Sequence, residues 1–120
     1  MNKKPITPAI HGLVDYAFAA TLYTVPALIG CNKKTVVLFR GLAIEVFLYG
    51  AITRQPLALL PLIPMRVHKL IDVANLSGMA LLTGYKGIRK KPKAVGFNLG
   101  MVALGITSVL LTQWRKKGGA

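Results

Sequence analysis

All the acid of this chain lies inside its apolar stretches. The three carboxylates are Asp15, Glu45 and Asp72, each within a run of apolar residues about as long as a bilayer is thick. An ionised group in such a place is costly, so each carboxylate must be paired, neutral or turned towards protein. Two of them have company. His11-Gly-Leu-Val-Asp15 and His68-Lys-Leu-Ile-Asp72 repeat one pattern, a His four residues before an Asp, 57 positions apart, and they use the only two histidines of the chain.

Four windows have spanning length: about 8–29, 35–53, 67–85 and 94–114. Between them stand Gly30-Cys-Asn-Lys-Lys34, the Pro-rich stretch from Arg54 onward, and Lys86-Gly-Ile-Arg-Lys-Lys-Pro-Lys93. The remaining charged residues are 16 Lys and Arg, which bring the net charge to +13. A soluble domain of 120 residues would carry far more charge of both signs. Nucleic acid is excluded as a partner because the cations sit between apolar runs instead of along one face. Lys33, Lys34, Arg89, Lys90, Lys91, Lys93, Arg115, Lys116 and Lys117 instead read as contacts to anionic lipid headgroups. Eight cations fall at each end of the spans, so the positive-inside rule returns a tie. The lone Cys31 excludes an internal disulfide. Leu28-Ile-Gly-Cys31 also fits a lipoprotein cleavage box, but cleavage there would remove a run holding His11, Asp15 and Pro26.

The halves align. Asp15 matches Asp72, Leu13 matches Leu70, and a two-residue insertion then matches Gly41 with Gly100 and Thr53 with Thr112. The pattern predicts an all-α integral membrane four-helix bundle made of two parallel-oriented two-helix repeats. The expected layout is one membrane domain with repeat 1 at about 8–54 and a Pro-rich connection at about 55–65 lying in the interface. Repeat 2 follows at about 66–114, then a polar tail at 115–120. An even number of spans per repeat puts both termini on one side and both His/Asp pairs at one membrane face. Gly96-Phe-Asn-Leu-Gly100, with Ala17, Ala19, Ala20, Gly41, Gly50, Gly78 and Gly105, is expected to bring helices close together. Helix 3, the most polar span, is expected to be the most buried.

Residues i and i+4 share a helix face, so His11 reaches Asp15 and His68 reaches Asp72. Such pairs fix a ring tautomer for a metal or haem, relay a proton, or simply satisfy each other away from water. The last is favoured, with Lys or Arg such as Arg66 and Lys69 snorkelling to the carboxylates. His11, Asp15, His68 and Asp72 thus form an intramembrane polar cluster. Glu45 stands apart near mid-span, its counterpart being Leu104, and is expected to be neutral or paired with Arg40, His68 or a partner subunit. A divalent metal on the four-residue cluster, or haem between His11 and His68, remains open. No nucleophile beside a base, phosphate loop or Cys-x-x-Cys occurs, so no enzyme is expected.

Thr7-Pro8-Ala-Ile-His-Gly-Leu-Val-Asp-Tyr16 and Leu62-Ile-Pro-Met-Arg-Val-His68 resemble the polar-headed openings of the small bacterial four-span membrane proteins of the SPW-repeat family. Val25-Pro26-Ala27 stands where that family carries Ser-Pro-Trp. The resemblance implies a multi-pass protein of the bacterial inner membrane and no known activity. Small multidrug-resistance exporters are similar in length and in a helix 1 carboxylate, comparable to Asp15, but lack the duplicated His/Asp heads. The expected function is therefore a non-enzymatic accessory or scaffold subunit, within a larger membrane complex or a homo-oligomer. The alternatives are a proton-coupled transporter or channel using Asp15, Glu45 and Asp72, and a haem- or metal-binding redox subunit through His11 and His68.

Overall fold

A computed structural model describes residues 4–114. The described residues are all-helical: α1 Pro8–Leu28, α2 Lys33–Ala51, α3 Met65–Leu82, a single turn α4 Lys86–Arg89, and α5 Pro92–Leu111. The body is elongated, 48 × 26 × 19 Å, its long axis set by helices of about 30 Å.

Local chemistry fixes the helix ends. Thr7 caps α1 through its hydroxyl, which accepts from the amide of Ile10, and Pro8 occupies the first helical position, where a missing N–H costs nothing. Asn32 caps α2 by accepting from the amide of Thr35. Between them Gly30 turns the chain at φ +83°, a conformation that favours glycine. Pro64 blocks continuation before α3, and Pro92 starts α5. The segment expected as a loop at 86–93 thus holds one helical turn and the start of α5, because Pro92 is suited to begin a helix.

Helices α1 and α2 pack as an antiparallel hairpin, and α3 packs on α5. Phe18, Leu22, Phe39, Val46, Leu76, Met79 and Met101 fill the core. Contacts at one end recur in both halves of the chain. The amide of Ile6 donates to Leu111 O and that of Ile63 to Ile52 O; Gln113 donates to Ile6 O and Arg54 to Ile63 O. The strap before α1 therefore ties to the end of α5, and the strap before α3 to the end of α2. The Pro-rich connection doubles back on this end, with the amides of Leu59 and Leu60 donating to Ala51 O, and it leaves Leu57, Leu59, Leu60 and Leu62 exposed.

One expectation is met only in part, and two are corrected. Among the described residues only α5 is long and apolar enough to cross a membrane by length and composition. The other long helices carry His11 and Asp15, or Lys33, Lys34, Arg40 and Glu45, or Arg66, His68, Lys69 and Asp72, and these lower their apolarity. Helix α3 is the least buried of the four long helices, because only one stripe of it faces inward, His68, Asp72, Leu76 and Met79. Gly96 and Gly100 face open space, as do Gly41 and Gly78. Gly105 does pack closely, against Leu76.

Candidate functional site: a buried His/Asp quartet

The first turns of α1 and α3 bring His11, Asp15, His68 and Asp72 together, all four buried. The closest contacts cross between the helices. His68 Nε2 lies 2.6 Å from Asp15 Oδ2, and His11 Nε2 lies 3.0 Å from Asp72 Oδ2. The contacts within each helix are longer, 3.2 Å for His11–Asp15 and 3.4 Å for His68–Asp72. The i,i+4 spacing put each His beside its own Asp, but the way α1 and α3 face each other places the other helix's carboxylate nearer still. Neither Arg66 nor Lys69 completes the cluster, which corrects the expected snorkelling partners: both are exposed, and Lys69 lies 5.9 Å over the Trp114 ring.

The outer ring nitrogens are held by residues that the aligned halves had paired without a role. His68 Nδ1 is 2.7 Å from Thr53 Oγ1, and His11 Nδ1 is 2.7 Å from Thr112 Oγ1. Each threonine hydroxyl also donates to the carbonyl one turn back, Tyr49 O or Ser108 O, at 2.5 Å. A carbonyl only accepts, so the hydroxyl hydrogen is committed there and the Nδ1–H of each histidine must donate to the threonine. Both rings therefore turn Nε2 to the carboxylates, in one tautomer frame. Ser108 Oγ adds a 3.2 Å contact to His11 Nδ1. Tyr49 donates to Asp72 Oδ1 at 2.5 Å and receives Asn75 Nδ2 at 3.2 Å. Thr53, Thr112, Tyr49 and Ser108 were missed as site residues. The matched Thr53 and Thr112 were the signal that could have found two of them.

The two imidazoles stand edge to face, 5.3 Å apart at 80°. Trp114 stands edge to face against His11 at 4.7 Å and helps line an outer cleft of about 570 Å³ with Thr7, Arg54, Gln55, Pro64 and Met65. On the inner side a cavity of about 30 Å³, bounded by Val14, Leu42, Leu76 and Gly105, has room for about one water. Haem does not fit. Both Nε2 atoms face the same two carboxylate oxygens, and the crossed rings leave no slot for a macrocycle.

Glu45 is not in this site. It lies on the exposed face of α2, with no hydrogen bond or ion pair among the described residues. The two protein partners expected for it are engaged elsewhere: His68 in the quartet, and Arg40 with Tyr23, donating to its carbonyl at 3.1 Å and covering its ring at 4.5 Å. At the far end Lys33, Lys34, Arg89, Lys90 and Lys93 are exposed, Lys91 is half-buried, and Arg115, Lys116 and Lys117 lie outside the described residues. No family model, no curated protein and no solved structure matches the chain.

Proposed function

We propose that the chain is a multi-pass membrane protein of the SPW-like kind, built from two copies of a helical hairpin, that serves as a non-enzymatic scaffold or accessory subunit. The single observation that carries this is its inverted polarity. Large apolar side chains face outward along the four long helices, with Leu28 and Leu81 each 81% exposed, while His11, Asp15, His68, Asp72, Asn98 and Ser108 are buried. A water-soluble monomer does not expose so continuous an apolar surface. The polar residues that make α1 and α3 too polar by composition include the four turned inward, so what these helices present to lipid is far more apolar than their sequences. Arg54, Arg66 and Lys69 sit at one end and the lysine-rich turns at the other, where they would meet headgroups. In this reading the bacterial inner membrane holds the chain with both termini on one side.

The closed interior supports a scaffold over a transporter. The cavity beside the quartet, about 30 Å³ among the described residues, is too small for a solute larger than water, and Asp15 and Asp72 are each held by both histidines. The lipid-facing Glu45, beside the open Gly41, is where a neighbouring subunit would relieve an expensive exposed carboxylate. The test is extraction followed by photocrosslinking. The chain should stay in the membrane pellet through an alkaline carbonate wash, and a photoreactive residue at Glu45 should crosslink to one discrete protein or to a second copy. Release by carbonate would refute the membrane reading; a crosslink pattern no different from one placed at Leu70 would refute the subunit reading.

A further inference from the structure

We propose that the quartet of His11, Asp15, His68 and Asp72 is a binding site for one divalent transition-metal ion, of the zinc class, held by two imidazole nitrogens and two carboxylate oxygens. Four donor atoms, one from each residue, lie within 4.8 Å of one another. The four N···O edges measure 2.6, 3.0, 3.2 and 3.4 Å. A tetrahedral ion with ligand bonds of about 2.0–2.1 Å needs edges of about 3.3–3.4 Å. Three of these edges lie within about 0.4 Å of that size, and the shortest, between His68 and Asp15, has to open by about 0.7 Å.

Counting protons separates a metal site from a clamp. Both Nδ1–H groups are spent on Thr53 and Thr112, so the two Nε2 atoms supply at most two protons to four short contacts. A single cation at the centre satisfies all four at once. Charge selects its valence. A ligating imidazole is neutral, so with both histidines as ligands the two carboxylates leave −2, which a divalent ion cancels; a monovalent or trivalent ion would leave net charge buried. The surroundings are those that metal ligands require. Each histidine donates its outer N–H to a fixed oxygen, and the tyrosine hydroxyl of Tyr49 holds Asp72 by Oδ1, leaving Oδ2 free to ligate. Imidazole with carboxylate suits zinc, cobalt or iron better than calcium or magnesium, which take oxygen ligands in larger number.

The test uses the full chain, purified without a polyhistidine tag in mild detergent, stripped with chelator and titrated with Co(II) and then Zn(II). One equivalent of Co(II) should bind, give the intense visible bands of a four-coordinate ion, and be displaced by one equivalent of Zn(II). Thr53→Val and Thr112→Val, which keep every ligand, should each weaken Zn(II) about 10- to 100-fold. The double variant His11→Gln/His68→Gln should abolish the visible bands. Wild-type protein that retains helical structure but binds less than about a tenth of an equivalent overturns the proposal. So does Zn(II) bound equally by the His11→Gln/His68→Gln protein, or a pale six-coordinate Co(II) spectrum.

Discussion

Thr53→Val removes one hydroxyl from a fully buried position and keeps the side-chain shape, and its cost can be worked from the contacts. The substitution strands the Nδ1–H of His68, itself 1% exposed, with no replacement acceptor at 2.7 Å. An unsatisfied buried donor costs about 1–3 kcal/mol, towards the upper end when the ring shares a proton with a carboxylate, as His68 does with Asp15. Hydrogen bonds between membrane helices are often worth less, about 0.6 kcal/mol on average and about 1.7 at most, because the unfolded chain also finds partners. We expect about 1.5–2 kcal/mol, or a fall in Tm of about 6–8 °C at about 4 °C per kcal/mol for a chain of this size. Thr53→Ser keeps the hydroxyl and loses one buried methyl, about 0.8 kcal/mol. Trp114 is the only tryptophan and its ring meets that of His11 edge to face, so its fluorescence reports the quartet directly during thermal or detergent-driven unfolding. Valine as stable as wild type within about 0.3 kcal/mol, or serine as damaging as valine, would refute the assignment of the Nδ1 proton and with it the orientation of both rings.

Further outcomes follow from individual positions. Gly105→Ala places a methyl against Leu76 Cδ2 and should cost about 1–3 kcal/mol in the same unfolding assay, while Gly100→Ala meets open space and should be neutral in the isolated chain. Equal costs at the two sites would contradict the packing of α5. Glu45→Gln should leave the fold unchanged, and Glu45→Leu should favour insertion by about 3 kcal/mol in a translocon assay; loss of folded protein in Glu45→Gln would mean its charge is structurally paired. Cys31 and Arg54 stand at opposite ends of the helices, so a membrane-impermeant maleimide should label Cys31 from one side and Arg54→Cys, in a Cys31→Ser background, from the other. Burial pushes the Cys31 thiol above its ordinary range, with Lys91 opposing. The thiolate is the reactive form, so labelling should be slow at neutral pH and quicken as pH rises.

Much of the site was legible because it is written twice. A His four residues before an Asp, repeated, placed four groups at one end of two like-oriented helices, and those groups do meet. What the spacing could not supply was who pairs with whom. Periodicity describes one helix at a time, whereas the crossed contacts, His68 to Asp15 and His11 to Asp72, depend on the distance and rotation between α1 and α3. The same limit explains the burial of α3. Its polar content suggested a helix enclosed by protein, yet a single inward stripe is enough to bury two ionisable residues, and Arg66 and Lys69 remain outside. Glycines mislead for a related reason. A Gly-x-x-x-Gly spacing gives a smooth face without saying what lies against it, and at Gly96 and Gly100 nothing among the described residues does. The threonines carry the more general lesson. Thr53 and Thr112 align by position, sit at the ends of α2 and α5, and looked like helix ends and nothing more. Each is there because a duplicated histidine needs a duplicated acceptor on the opposite hairpin. In a repeat of this kind, matched polar residues outside the motif are the best places to look for the groups that hold it, since each copy of the motif is completed by the other half.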